Sequence, residues 1–319
     1  MSLNNKRFYY IFFIFLVVAL FFLVKIDKRV KNLLHIANEV TLHGVSDNVS
    51  VNKIHETYAP LCDKSINRKE FFAMMPNLDK VAALEIAPYF RPILKGDNVK
   101  YFDVFDHDNL VKIAQKDPNI DKKTIKNIPE TDYVHPTGDM SGIKEKFDII
   151  FSSHNIEHQV NLLKHLNQVA NLLKDEGQFF IAVPDKRYCF DHYIPETPLS
   201  EVLAIYWTDP ATHSLQTVLS MRCETAHNKA VQHWRGDSGY DKYGADKDCY
   251  INAHKEFINA GGSYIDSHKW RFTPESFYRI VEESNKMGLQ PLKVRKVFTT
   301  AKGKEEFFVI LYKPSAIEK

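Results

Sequence analysis

Two short apolar runs, FDIIFS at 147–152 and QFFIAV at 178–183, flank a stretch whose apolar residues recur at helical spacing: Leu162, Leu163, Leu166, Val169, Leu172 and Leu173. Strand, helix and strand in that order make a βαβ unit, which sets the two strands parallel and buries them on both faces. The rhythm extends upstream, with strands predicted at 81–86, 99–104 and 131–134, a short helix at 109–115 and a polar excursion at 116–130. Gly177 reads as the stop of the 158–174 helix and Pro184 as the end of the fifth strand. The alternation then ceases. The following stretch is rich in His, Trp, Tyr and Asp, with helical pieces near 198–206, 213–233 and 246–260. Thr273 and Pro274 open a further helix to about residue 286, as N-cap and first helical residue. Ser276 stands at N3, where a capping box prefers Glu or Gln. Two closing strands, 292–299 and 306–311, joined by a Lys/Gly turn, read as a hairpin that ends the sheet antiparallel.

Ahead of this lies FYYIFFIFLVVALFFLV, residues 8–24, without charge, Gly or Pro. As a helix the run is about 25 Å long, enough to span a thin bilayer with help from its flanks. It ends in Lys25 with no small-residue cleavage site, so an uncleaved anchor over 8–26 is expected rather than a signal peptide. Lys25, Lys28, Arg29 and Lys31 outweigh Lys6 and Arg7, which places the domain on the cytoplasmic side. The Asn48-Val49-Ser50 sequon would matter only on the opposite side. Residues 27–77 read as a linker with one or two helices, and 78–319 as the main domain, with 190–267 an insertion capping the substrate.

A net charge of +2 with no basic stripe argues against nucleic acid as a partner. The four cysteines, Cys62, Cys189, Cys223 and Cys249, are scattered without a C-x-x-C pair and read as reduced thiols.

In an open parallel sheet, ligands bind beyond the carboxyl ends of the strands. The first of the 81–184 strands ends in Leu84-Glu85-Ile86-Ala87-Pro88, and the second in Tyr101-Phe102-Asp103. An acid at the second strand's end can accept hydrogen bonds from both ribose hydroxyls of an adenosine ligand. LEIAP, YFD, FDIIFSSHNIEH, LLKDEG and FFIAVPD, in that order, resemble the class I S-adenosylmethionine-dependent methyltransferases. VPDKRYCFDH (183–192) and HKWRFTPESF (268–277) are similar to a bacterial subgroup of that family, type 11/23-like, linked to surface-polysaccharide and glycosyltransferase genes. The resemblance runs from about residue 78 to the C-terminus. It implies an α/β fold: a Rossmann-like seven-stranded sheet with an antiparallel last strand, helices on both faces and a helical insertion after strand 5. To this the sequence adds the N-terminal transmembrane helix. The opening departs from the family's E-x-G-x-G-x-G: Glu85 is kept, but Ala87, Tyr89 and Arg91 replace glycines. Glycine is favoured where φ is positive or a ligand approaches the backbone closely. S-adenosylmethionine carries no pyrophosphate to cradle, which makes the loss tolerable.

Carried over residue by residue, the resemblance implies S-adenosylmethionine as cofactor. Glu85, Ala87 and Pro88 would stand on the methionine side, Asp103 at the ribose, and Gly138-Asp139-Met140 at the adenine. Ser153, His154 and Asn155 would face the transferred methyl. His154 is the expected general base, its ordinary pKa suiting proton abstraction from a sugar hydroxyl. Asp185 is a second candidate base or substrate ligand; Lys186 and Arg187 could bind an anionic group, with Tyr188 beside them. Alternatively 184–188 is a salt-bridged loop. His233 and Trp270 belong to aromatic-polar clusters that suit either sugar binding or cap packing. His154-Asn155-Ile156-Glu157-His158 also matches H-x-x-E-H, an inverted zinc-protease signature. That reading needs a helix under both histidines and a third ligand, whereas His154 follows directly on a strand, so no metal is expected. The implied function is O-methylation of a glycan, lipid-linked sugar or other small acceptor, with glycosyltransferases as possible partners. The alternative is an inactive binding or scaffold module at the membrane.

Overall fold

The structure is a computed structural model that describes residues 62–63, 65–118, 120–239 and 246–315. The apolar run at 8–24 and its expected anchor lie outside the described residues. Among the described residues no helix is long and apolar enough to cross a membrane.

The βαβ rhythm is realised in one sheet. In chain order its strands are β1 (Cys62–Asp63), β2 (Ala83–Ile86), β3 (Val99–Asp103), β4 (Tyr133–Val134), β5 (Phe147–Ser153), β6 (Leu173–Pro184), β7 (Lys293–Phe298) and β8 (Glu306–Tyr312). Their spatial order is β1-β7-β8-β6-β5-β2-β3-β4. β8 runs antiparallel to both β6 and β7, as the hairpin predicts, and every other neighbour is parallel. The sheet thus holds the seven expected strands plus a two-residue edge strand, β1. Strand order reverses between β2 and β5, so the carboxyl ends of β2, β3 and β5 meet at the crevice where such sheets take ligands.

The central strands are apolar on both faces because helices cover both. On one face α3 (Leu162–Leu172) and α8 (Pro274–Lys286) pack Leu163, Leu166, Phe277 and Ile280 against Ile150, Phe179 and Val309. On the other, α1 (Arg68–Phe72) buries Phe71 completely, stacked on Phe308 at 4.6 Å and tilted on Phe180 at 5.4 Å. Burying one such ring contributes about 1.5–3 kcal/mol. The segment ahead of the expected domain start at 78 thus carries a helix packed on the sheet. α2 (His107–Lys116) follows β3 and is capped by Asp106.

Two local readings change. Gly177 lies inside β6 and ends no helix: α3 already stops at Leu172. A Cβ on Gly177 would sit 2.8 Å from the Lys174 carbonyl, so close approach of backbone explains the glycine. Ser276 completes a capping box that the sequence rule reserves for longer side chains: Thr273 N–H donates to Ser276 Oγ at 2.9 Å, and Ser276 N–H to Thr273 Oγ1 at 3.2 Å.

The insertion carries α4 (Leu199–Thr208), α5 (Leu215–Cys223), α6 (Ala230–His233) and α7 (Lys247–Ala260). Cys223 and Cys249 join α5 to α7 in a disulfide. This corrects the reading of four reduced thiols: the two cysteines are 26 residues apart in sequence, and only the packing of α5 on α7 brings them together. Cys189 is free and buried.

Candidate active site

The turn after β2 is held by Glu85. Its carboxylate is buried and accepts the N–H groups of Ile93 (3.0 Å) and Leu94 (2.8 Å), folding the loop back onto the strand. Burial raises its pKa to about 7, against the lowering effect of those two amides. Glu85 thus staples the loop that follows β2 back onto the strand. Pro88 is buried and contributes the turn. Ala87 has φ 54° and Tyr89 φ 44°, so the left-handed conformations that glycine usually supplies persist without it. His154, just past β5, has φ 47°. Three of the five non-glycine residues with positive φ among those described therefore stand at this one sheet edge. Each costs about 1–2 kcal/mol, and such strain collects where function constrains the backbone.

Ala87 N–H donates to the Phe102 carbonyl at 2.8 Å, which lays the turn against the end of β3, where Asp103 is buried. Burial lifts the Asp103 carboxyl to about 6; main-chain N–H groups of Phe105 and Val104 partly offset this. A carboxylate has about four acceptor positions, so these amides leave capacity for a diol. The Tyr89 hydroxyl is buried without a hydrogen-bond partner, and its pKa is raised by burial and by the charges of Asp117 and Asp103. Asp103 thus keeps a spare acceptor and Tyr89 an orphaned hydroxyl near the end of β3. His135 N–H binds the Asp103 carbonyl at 3.2 Å and brings the loop after β4 alongside, with Gly138 facing Val104. Asp139 Oδ1 caps Ser141 N–H and accepts Gln168 Nε2 from α3 at 2.6 Å, while buried Met140 anchors the loop.

Beyond β5 the sequence missed two partners. His154 Nε2 lies 3.0 Å from Glu306 Oε2, and Arg68 pairs with the same carboxylate through Nε and Nη2, both at 2.6 Å. Arg68 Nη2 also reaches Ser153 Oγ at 3.1 Å. Burial would lower the His154 pKa, but the Glu306 hydrogen bond and the Glu157 and Glu306 charges outweigh it and raise the value. Burial would raise Glu306, yet its bonds to His154 and Arg68 bring it down to about 2. Asn155 accepts from Gln159 Nε2 at 3.0 Å. Arg68 lay ahead of the expected domain, and Glu306 reads as an ordinary strand residue, so neither carried a signal. Beside this network opens a cleft of about 610 Å³, lined by Arg68, Lys69, Arg91, Lys304, Glu305 and Glu306 among others.

The remaining expected site residues each have partners within the fold. Asp185 is completely buried and accepts Arg187 Nη2 (2.6 Å), Arg187 Nε (2.9 Å), Arg187 N–H (3.0 Å) and Thr300 Oγ1 (2.6 Å). With its lone pairs so engaged, it anchors the loop and holds Arg187. Lys186 Nζ binds the His192 carbonyl at 2.8 Å, and burial lowers its pKa. Tyr188 stacks on Trp234 at 4.0 Å. His233 is buried with Nε2 on the His227 carbonyl, and Trp270 is a core residue whose indole donates to the Gln159 carbonyl. The reading of 184–188 as a salt-bridged loop, and of the aromatics as packing, is the one the geometry favours.

A crevice at the strand-order reversal, a buried acid at the end of β3 and a strained turn before it mark an α/β sheet of the kind that takes ligands at its carboxyl edge. The methyltransferase-domain family model matches residues 68–285, and the chain belongs to that family. It is a methyltransferase, with S-adenosylmethionine as cofactor. Similar solved structures include an S-adenosylmethionine-dependent methyltransferase from Mesorhizobium loti (10% identity over 77% of this chain and 96% of that one, TM-score 0.39). Another is CcbJ from Streptomyces caelestis (9%, 77% and 93%, TM-score 0.39). A third is mitomycin 7-O-methyltransferase MmcR (9%, 82% and 54%, TM-score 0.35), of whose length this chain spans about half. No curated protein matches the sequence.

Proposed function

We propose that the enzyme methylates an oxygen of an anionic glycan or lipid-linked sugar, held in the cleft beside His154. The observation that carries this reading is the placement of that cleft. Lys69, Arg91 and Lys304 line it together with Arg68 and Glu306, and His154 stands behind Glu306, 3.0 Å from its carboxylate. These cations take the role expected of Lys186 and Arg187, and attract a phosphate or carboxylate on the acceptor. Glu306 fixes the His154 ring, as an orienting partner does for a general base, and His154 takes the acceptor's hydroxyl proton. Asp103 holds the ribose of S-adenosylmethionine, which supplies an electrophilic methyl when bound. Much of the rate then comes from aligning acceptor oxygen and methyl.

Anchoring by 8–26 would bring this cleft to lipid-linked precursors and neighbouring glycosyltransferases. The Lys/Arg bias supports a cytoplasmic placement, against which the Cys223–Cys249 disulfide weighs, since disulfides persist mainly in oxidising compartments. Incubation with radiolabelled S-adenosylmethionine and fractionated host membranes tests the acceptor class. Label in the glycolipid and polysaccharide fractions supports it; label confined to protein or uncharged small molecules overturns it.

A further inference from the structure

One cluster beside the site is left unused by methyl transfer. Glu157 lies in the 3-10 turn Ile156–His158, just after β5, and is completely buried. Neither of its carboxylate oxygens has a hydrogen-bond partner. Two imidazoles converge on it. His158 Nε2 stands 3.6 Å and His268 Nε2 3.7 Å from Glu157 Oε1, with the two rings edge to face at 4.5 Å. These separations are too long for hydrogen bonds. They are slightly longer than the roughly 3.0–3.4 Å that two ligands span on one ion at bond lengths near 2.0–2.1 Å. The three donor atoms all lie within 4.8 Å of one another.

The opposite ring nitrogens point to carboxylates. His158 Nδ1 is 2.8 Å from Asp266 Oδ1, and His268 Nδ1 is 2.5 Å from Asp191 Oδ2. For His268 this is the outer arrangement of metal-binding histidines: the Asp191 carboxylate takes the Nδ1 proton, sets the tautomer and leaves Nε2 with its lone pair inward, whereas Asp266 stands close to His158 Nδ1 as an ion-pair partner without hydrogen-bond geometry. The backbone holds the third ligand in place. The Glu157 carbonyl accepts the N–H groups of Lys269 (2.8 Å) and Trp270 (3.1 Å), which fixes His268 over the turn. Charge points the same way. Glu157, Asp191 and Asp266 surround the two rings, while Arg271 Nε, 3.6 Å from Asp191, is the nearby cation on the far side of that carboxylate. A buried carboxylate without donors is costly unless a cation meets it.

We propose that Glu157, His158 and His268 bind one divalent transition-metal ion, with zinc the best-suited, Asp266 and Asp191 serving as outer partners. Two imidazoles and one carboxylate suit this class of ion and leave at least one position for water or an acceptor oxygen. His154 Nδ1 is 4.0 Å from Glu157 Oε1, so the ion would lie against the catalytic edge. The H-x-x-E-H signature thus contributes its last two residues, and the missing third ligand is His268, 110 positions beyond His158 in sequence (268 − 158). His154 instead turns to Glu306.

The test uses the full chain, stripped with a strong chelator and titrated with zinc by calorimetry, with elemental analysis of the protein as isolated. The expected result is one zinc per chain, lost in His268→Ala and weakened 10–100-fold in Asp266→Ala. Cobalt(II) in the wild-type chain should give visible absorption bands of a low-coordinate nitrogen–oxygen site, a readout that needs no variant. Failure of wild-type protein to bind zinc or cobalt overturns the proposal, as does binding of equal affinity in a folded His268→Ala, which would assign the ion to other residues. None of these readouts depends on the acceptor or on methyl transfer.

Discussion

Replacing Glu306 by Gln probes the network that sets His154. The change keeps shape and one acceptor for Arg68 but removes the charge that both cations face. A carboxyl moved from 4.5 to about 2 contributes about 3 kcal/mol. Arg68 is two-fifths exposed, so solvent screening reduces the expected deficit to about 2 kcal/mol. The signs give a pH window. The folded pKa of Glu306 is depressed, so its stabilisation is present above 4.5 and is lost as pH falls toward 2. The folded pKa of His154 is raised, so its share is full below 6.5 and is lost as pH rises through the folded value. The deficit of Glu306→Gln should therefore peak between pH 4.5 and 6.5 and shrink to less than half by pH 3. Urea unfolding of both proteins at pH 3, 5.5 and 9 measures it. In parallel, loss of the carboxylate lowers the His154 pKa, and the acid limb of kcat/KM should move to lower pH. A deficit independent of pH, or an unmoved acid limb, would refute the reasoning.

Three further outcomes follow from the same geometry. Ala87→Gly relieves left-handed strain worth about 1–2 kcal/mol at an entropic cost of about 0.5–1 kcal/mol, so thermal stability should rise slightly, with cofactor affinity undiminished; a loss of either would show that the Ala87 methyl is a contact. Asp185→Asn should destabilise by about 2–3 kcal/mol, below the buried-pair range because Arg187 is partly exposed, yet leave kcat of the folded enzyme within about threefold; a hundredfold fall in kcat without destabilisation would restore Asp185 as a catalytic group. Thiol titration of denatured, unreduced protein from its host should find no more than two of the four cysteines free, because Cys223 and Cys249 are paired; four free thiols would mean that the pair is reduced there.

Much of the fold was legible because its signals are local. FDIIFS, QFFIAV and the α3 pattern carry periodicity within one element, and the Thr273-Pro274 start is a backbone rule. The seven expected strands and the antiparallel close follow from such patterns. Boundaries failed where a tertiary contact decided them. α1 belongs to the domain because Phe71 stacks on Phe308, and β6 starts early because Gly177 permits a close backbone approach. At the site, Asp103 and His154 were expected because strand ends announce themselves. Asp185 and Trp270 could not be sorted, since a buried salt bridge and a core indole look in sequence like a base and a sugar platform. Arg68, Glu306 and His268 were invisible as partners for one reason: their meaning lies in what they touch, and those contacts span 238 residues between Arg68 and Glu306.

The account rests on a nucleoside site beside a turn that lacks its glycines. Calorimetric titration of the full chain with S-adenosylhomocysteine tests this most directly, with Asp103→Ala alongside. The account predicts saturable binding by the wild-type chain and at least about tenfold weaker binding, roughly 1.4 kcal/mol, once the ribose acceptor is removed. Absence of binding by the wild-type chain, or equal affinity in the variant, would contradict it.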